Sequence, residues 1–488
     1  MTPDPSRVAP ASSVAGTGAR PRALLAIILI SYLMIVMNVA LVVTALPRIH
    51  SDLRFTTAGL AWVQSAYTLA FGGLLLLGAR AGDILGRRRV LVAGLLCFVA
   101  ASPIVGLAGT PTLLLAGRAL QGVAAALIAP STLALLAVGF PEGRPRTRAV
   151  AYYGSVAGFG ATLGLVAGGL LTDTVGWRAG FFFNVPIGLV LVAATFRSID
   201  ETARRPGDFD LAGSLASTAG MSALVLGLVR AAGSGWSDPL TLGALVAGVL
   251  LLTATLVNEE RVSEPIIPLA LFRSRQRSVA YAGRFLYLGA MLGFWFFVSR
   301  YLQDVLGYSA LAAGLAFLPM TLINIVTALA VPRLTKWWGN TCVLSVGLAI
   351  TATGMFWLSR LEPSEPYLTA IALPILCVGA GQGLALAPLT VMAMDGVGSE
   401  NFGAASGLVN VAHQLGGSVG LAALVAISGQ VHASGRTPAE LLTRRASVAL
   451  DAGGLLLVVA LCLLFLPRRD SRSEKRLVQV EVPQRGLP

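Results

Sequence analysis

Fourteen apolar runs recur along this chain, most of them close to helix-spanning length and each bounded by Gly, Pro or Arg, and no soluble core can absorb so many. They place helices at approximately 23–46, 60–79, 90–109, 112–139, 147–172, 179–197, 211–231, 238–257, 277–300, 311–331, 340–358, 368–395, 402–428 and 447–466. A bilayer core needs roughly 20 apolar residues per helix, so fourteen crossings use about 280 of the 488 residues. Composition agrees: 55% apolar residues, 12% charge and a mean hydropathy of +0.77 exclude a water-soluble enzyme. The expected fold class is an all-α polytopic membrane protein. Cys97, Cys342, Cys377 and Cys462 each lie inside an apolar run and far apart, which indicates neither a disulfide framework nor a metal site.

A net charge of +13 would suit a nucleic-acid binder if Arg and Lys shared one face, but they sit in short clusters between the apolar runs. Topology accounts for that placement. With the N-terminus cytoplasmic, 25 of the 36 Lys and Arg residues fall on inside segments and 9 on outside ones, as retention of cationic loops requires. Both termini are therefore expected on the cytoplasmic side of a plasma or inner membrane. Residues 1–22 lack an apolar h-region and are expected to be a disordered tail, and residues 467–488 a basic one.

Gly82-Asp83-Ile84-Leu85-Gly86-Arg87-Arg88-Arg89 follows the second run, and a faint echo, Val331 to Gly339, lies between the tenth and eleventh. The echo divides the chain into two six-helix halves, 23–197 and 277–466, around an inserted two-helix hairpin within 198–276. Repeated helical halves that meet near the midplane are the common build of secondary transporters.

Several local patterns carry chemistry. After the second helix, Gly82 and Gly86 permit a tight turn and Asp83, Arg87 and Arg88 can pair, although an Arg triplet alone would serve as a topological anchor. Arg118 and Gln121 share one face of the fourth helix, about six residues or near 9 Å from its start. An intramembrane Arg marks a pathway unless it snorkels to the interface. Gly160, Gly164 and Gly168 repeat every four residues in the fifth helix, a spacing that lets two helix backbones approach closely. Trp177, Arg178, Phe182, Asn184, Pro186 and Gly188 lead into the sixth helix, and Gln303, Gly307, Gly314 and Pro319 surround the join of the seventh and eighth.

On these residues nearly the whole chain resembles the major facilitator superfamily, and specifically its fourteen-helix drug:proton antiporter branch. The resemblance implies two six-helix bundles plus two extra helices, alternating access, a cavity-facing Arg118 and a gate at Asp83 with Arg87 and Arg88. Three positions depart from the family pattern. Asn38 stands where the family has a first-helix Asp, Leu165 replaces the proline of the antiporter motif, and His413 replaces an Arg before Gln414-Leu415-Gly416-Gly417. Asn cannot exchange a proton, whereas a His near pKa 6.5 can, so His413 becomes the candidate for proton coupling; a structural, hydrogen-bonded histidine is the alternative.

No acid lies near the centre of a run, which leaves Arg118, Arg284 and His413 as the central ionisable set. Such a cavity should favour neutral or anionic solutes over lipophilic cations. Arg284, Tyr287, Met291 and Trp295 share one face of the seventh helix, suited either to apolar ligands or to ordinary helix packing. Gln64, Tyr67, Asn324, Gln382, Asn410 and Gln414 could bond a substrate or a neighbouring helix.

Expected partners are a small-molecule substrate, protons and membrane lipid, with no nucleic acid, and no cofactor or metal is implied. No phosphate-binding loop is present to couple ATP. The expected function is export of small, partly apolar molecules such as antibiotics, drugs or secondary metabolites by proton-coupled antiport. Asn38 keeps open a uniporter or importer of a neutral or anionic solute. A membrane enzyme ranks below transport because no nucleophile, base or metal constellation is evident, and a sensor because no sizeable soluble domain is.

Overall fold

Inside a bilayer every backbone amide must find its partner within its own segment, and this chain meets that demand with helices. The computed structural model describes residues 21–465 apart from 57–58, 142–143, 203–210, 260–268, 363–365, 398–401, 432–434 and 436. The two expected tails therefore lie outside the described residues, except for Pro21, Arg22 and the helical residues that follow.

Helices α1 (Pro21–Leu53), α2 (Ala61–Leu85), α3 (Arg87–Gly106), α4 (Pro111–Gly139), α5 (Arg144–Thr174), α6 (Trp177–Phe182) and α7 (Asn184–Ser198) pack as one group. α8 (Leu211–Ser234) and α9 (Pro239–Glu259) form a hairpin. α10 (Arg275–Arg300), α11 (Ala310–Ala316), α12 (Leu318–Leu358), α13 (Leu373–Met394), α14 (Phe402–Gly429) and α15 (Pro438–Phe465) pack as a second group. Among the described residues, 12 helical stretches are long and apolar enough to cross a membrane. One of them, Ala310–Leu358, has 49 residues, which at 1.5 Å per residue is about 74 Å and far exceeds a ~30 Å hydrocarbon core. It reverses at Gly339, whose φ of 77° only glycine adopts readily. α5, 31 residues long, runs beside α1 in addition to these stretches.

Successive helices alternate in direction, so the start of α1 and the turn at Gly86 share one end of the molecule, here the near face. The turns at 54–60, 107–110, 175–176 and 306–309 share the other, the far face.

Four boundaries differ from the sequence expectation: α2 runs on to Leu85, so that Gly82 and Asp83 lie in its last turn rather than after it, and three others follow. α1 does not stop before Pro47 but continues to Leu53. Pro47 lacks an N–H and so leaves the Val43 carbonyl free, and Ser299 of α10 donates its hydroxyl to that carbonyl at 2.9 Å. The expected loop at 332–339 is helical up to Gly339, with Thr335 bonding back to Val331 O at 2.9 Å. α15 begins at Pro438, so Arg444 and Arg445 lie in a helix rather than a loop. Its start is fixed by a reciprocal cap: Glu440 N–H donates to Thr437 Oγ1 at 3.3 Å, and Thr437 N–H to Glu440 Oε2 at 2.7 Å.

The glycine repeat of α5 lies against α1. A Cβ on Gly164 would stand 2.8 Å from Met37 O, and one on Gly168 would stand 2.7 Å from Leu41 Cα. Gly160 faces Leu33 and Val36 in the same row. These approaches sit the two backbones together as the four-residue spacing requires.

α8 packs against both α2 and α14, lying along the seam where the two groups meet, while α9 packs on α8. Outward on α9, Leu240, Leu242, Val246, Val249 and Leu250 are exposed, an apolar surface that suits lipid. At the hairpin's turn Asp238 receives Arg230 Nε at 2.6 Å and the Thr241 N–H at 2.9 Å, tying both helices together.

Candidate translocation site

Two polar clusters occupy the interior, one in each group. In the first, Arg118 of α4 is fully buried. Its Nε donates to Val63 O at 3.0 Å, its Nη1 donates to Gln121 Oε1 at 3.0 Å, and its guanidinium lies 4.5 Å from the centre of the Tyr67 ring. Its Nη2 has no partner, nor do the Tyr67 hydroxyl and Gln64 Oε1. Asn38 Nδ2 donates to the same Gln121 oxygen at 3.3 Å, Asn184 Nδ2 donates to Asn38 Oδ1 at 3.4 Å, and Gln121 Nε2 donates to Ser102 Oγ at 3.1 Å. Gln64 donates to Val39 O at 3.3 Å. A single amide oxygen therefore holds both Asn38 and Arg118.

In the second cluster, Arg284 of α10 donates Nη1 to Thr390 Oγ1 at 2.9 Å and to Leu386 O at 3.4 Å, and Nη2 faces His413 Nδ1 at 3.2 Å. A guanidinium only donates, so Nδ1 accepts and the ring proton resides on Nε2. Tyr32 of α1 stacks on Tyr153 of α5 at 4.0 Å, and Tyr32 lies within electrostatic range of Arg284. Residues of both groups therefore converge at this level. No carboxylate pairs with Arg118 or Arg284 among the described residues.

The remaining expected residues distribute as follows. Tyr287 and Met291 are enclosed in the apolar core of the second group, where the Tyr287 hydroxyl meets Thr351 Oγ1 at 3.4 Å. Trp295 packs on Phe317 at 4.7 Å between ring centroids. Asn410 donates to Ser406 O of its own helix, and the Gln414 Cβ faces Gly72 where α14 crosses α2. Asn324 and Gln382 lie half-buried on α12 and α13 and join neither cluster.

The near-face motif holds its own group together. Arg87 Nη2 pairs with Asp83 at 3.0 Å and Nη1 donates to Ala134 O at 3.2 Å; Arg88 stacks over Phe196 at 5.2 Å and donates to its carbonyl. Gly86 has φ 101°, and a Cβ there would run into the Glu201 carboxylate that caps the α3 amides of Arg88 and Arg89. Gly82 lies beside the Arg87 stem.

Toward the far face the two groups are tied together. Ser299 bonds Val43 O across α10 and α1, Gly314 of α11 sits against the Leu165 carbonyl, and the Asp173 carboxylate accepts the N–H groups of Ala310 at 3.2 Å and Leu311 at 2.8 Å. A cleft of about 260 Å³ lies over these ties, lined by residues of both groups including Arg48, Asp173, Gln303 and Asp304. Thr68 and Ser418 share a short hydrogen bond where α2 crosses α14.

Sequence reasoning did not single out Tyr32, Tyr153, Ser102, Thr390 or Ser299, and it left Asp173 as a helix-end acid. Only Pro47 gave a local signal, since a proline inside an apolar run leaves one carbonyl in need of a donor.

The Major Facilitator Superfamily model matches residues 28–421. The chain is 37% identical over 442 residues to the cephamycin export protein of Amycolatopsis lactamdurans, which covers 90% of each chain. It is 38% identical over 492 residues to the puromycin resistance protein of Streptomyces alboniger, covering 97% of this chain and 96% of that one. The crystal structure of the nucleoside transporter NupG matches with a TM-score of 0.63 at 12% identity, over 91% of this chain and all of the other, a likeness of fold alone.

Proposed function

Because this chain belongs to the Major Facilitator Superfamily and its relatives include antibiotic exporters and resistance proteins, we propose that it exports small, partly apolar molecules by alternating access. It is a multi-pass membrane efflux transporter. The helices α1–α7 form one six-span bundle, α10–α15 form the other, and the α8–α9 hairpin adds two spans, for fourteen in all. The near face is cytoplasmic, as the excess of Arg and Lys there requires, and the membrane is the cell's plasma or inner membrane.

One observation supports this reading above the others: the hydrogen-bonded ties between the bundles are concentrated toward the far face, while polar side chains of both bundles lie at one level below them at Arg284, His413 and Tyr32. That arrangement suits a carrier closed to the outside and loaded from the inside. The proton gradient supplies the drive, with Asp83, Arg87 and Arg88 as the near-side gate; His413, whose Nδ1 accepts the Arg284 guanidinium, can take up a proton only in a state in which that bond has parted. Through 100 mV one elementary charge supplies about 2.3 kcal/mol, enough for a gradient of roughly fiftyfold.

Asn38 favours a second reading. It bonds Gln121 beside Arg118 where a proton-exchanging acid is expected, so transport without proton exchange is the rival. Accumulation of cationic, neutral and anionic compounds in pump-deficient cells, with and without a protonophore, separates the two. Expression should lower accumulation, and the protonophore should restore it if protons drive export. Lower accumulation that the protonophore leaves unchanged would establish the rival, and raised accumulation would overturn export itself.

A further inference from the structure

Of the three buried arginines, Arg300 is paired with Asp304 at 2.8 Å, and the other two differ in what remains for a ligand to satisfy. Arg118 is sealed within one bundle, closed over by the Tyr67 ring and held to Gln121 and Val63. Arg284 stands where α10, α13 and α14 face α1, and its three hydrogen-bond partners, a carbonyl, a hydroxyl and an imidazole, are all neutral. Its Nε has no partner although the residue is only 9% exposed. A guanidinium cannot shed its proton to escape burial, so a positive charge remains in the interior with no counter-ion among the described residues.

We propose that Arg284 is the receiving group for an organic anion, a carboxylate carried on a flat apolar frame, which supplies the missing counter-charge when it binds between the bundles. This assignment rests on the export reading and names its substrate class. Two donors of this site remain for a carboxylate: the Arg284 Nε–H, buried without a partner in this state, and the His413 Nε2–H that remains because Nδ1 is taken by the guanidinium. Charge-assisted bonds of this kind are among the stronger ones in a protein interior. The stacked rings of Tyr32 and Tyr153 offer a flat apolar surface within electrostatic range of Arg284, and that pair belongs to the first bundle whereas Arg284 and His413 belong to the second. A ligand with its carboxylate on Arg284 and its frame against that ring pair would bridge the two bodies that must rock past one another, which a ligand held by one bundle alone could not do.

The test uses the full-length protein in nanodiscs, with naphthalene-2-carboxylate and biphenyl-4-carboxylate as probes and the methyl ester of each as its uncharged partner. Binding is followed by thermal shift and by equilibrium dialysis. Each acid should bind roughly tenfold or more tightly than its ester, the scale of one charge-assisted hydrogen bond. Arg284→Gln should erase that preference and Arg284→Lys should retain part of it. Without ligand, Arg284→Gln should melt no lower than the wild type, because it removes an uncompensated cation; its lost binding then cannot be ascribed to unfolding. Equal affinity for acid and ester in the wild type, or no binding of either, would overturn the proposal whatever the variants do, as would a preference that survives Arg284→Gln. Cell accumulation distinguishes the two levels of failure. Export of neutral or cationic compounds but not of the acids leaves the export reading standing and rejects the anion, whereas export of nothing rejects the export reading.

Discussion

The Asp173 carboxylate, on the last turn of α5, accepts the backbone N–H of Leu311 at 2.8 Å and so caps a helix that belongs to the other half of the molecule. Ala310 N–H reaches the second oxygen at 3.2 Å, which satisfies two of the amides that a helix start leaves without partners. Hydrogen bonds to a charged group contribute about 1.5–3 kcal/mol each, and this pair exists only while the far face is closed. Asp173→Ala should therefore shift the balance toward the open far face by roughly tenfold or more. A cysteine at Ser51, in the cleft above, on an otherwise cysteine-free background, would report it through its labelling rate with an impermeant maleimide. An unchanged rate would show that the cap does not hold the closed state.

Ser299 supplies the second tie, and its strength depends on Pro47. The proline leaves Val43 O without its helical donor, and Ser299 Oγ–H takes that place while accepting Gln303 Nε2 at 3.1 Å. Ser299→Ala should destabilise the protein by about 1–3 kcal/mol, because the carbonyl is left buried and unpaired. Pro47→Ala returns an N–H to the helix, so in that background Ser299→Ala should cost clearly less. A double-mutant cycle on the unfolding midpoint checks this, and strict additivity would refute the link.

Residue periodicity and punctuation made most of the helices legible, since apolar runs of spanning length leave little choice of fold. What they could not supply was partnership. Pro47 read as an end because proline usually stops a helix, and the donor that lets α1 continue sits 252 residues further along the chain on α10. Arg118 and Gln121 were legible as a pair because helical spacing puts them on one face, and the structure joins them at 3.0 Å. Tyr287 and Met291 share a face with Arg284 in the same way, yet that face is wide enough that one edge lies toward the other bundle and the rest is buried against α12 and its neighbours. Tyr32 had no local signal at all: its importance arises from Tyr153 and Arg284, which only tertiary packing brings to it.

The turn between α8 and α9 should respond to acid. Asp238 is held below its ordinary value of 3.8, first by the hydrogen bond from Arg230 and further by the Thr241 N–H and hydroxyl. A depressed carboxylate contributes stability above its unfolded-state value and loses it as the pH falls through the lower folded-state value. The hairpin should thus be unaffected between pH 7 and pH 5 and begin to loosen only below about pH 4. Hydrogen exchange at the α9 amides, corrected for the intrinsic pH dependence, should show that loosening in the wild type. Asp238→Asn should already be loosened at neutral pH and show no further acid step; an acid step of equal size in both proteins would assign it to another group.

Asn38 and Arg118 meet at the two sides of one oxygen, Gln121 Oε1, at 3.3 and 3.0 Å. Replacing Asn38 by Ala removes a donor to Gln121 and the acceptor of Asn184 Nδ2, so it should destabilise the protein by about 1–3 kcal/mol. Asn38→Asp acts differently. The introduced carboxylate repels Gln121 Oε1, so the amide must turn its Nε2 toward the acid and give up both its bond to Ser102 at 3.1 Å and the bond its oxygen accepts from Arg118 Nη1 at 3.0 Å. In return the unpartnered Nη2 of Arg118 gains an anion within the same network. The variant then carries an acid that can exchange a proton inside the membrane, beside a cation that favours its ionised form. Export by Asn38→Asp should accordingly depend more steeply on external pH than export by the wild type, and collapse more completely with a protonophore. Measuring efflux from preloaded cells between pH 6 and pH 8 decides it, since identical profiles for the two proteins would mean that position 38 takes no part in coupling.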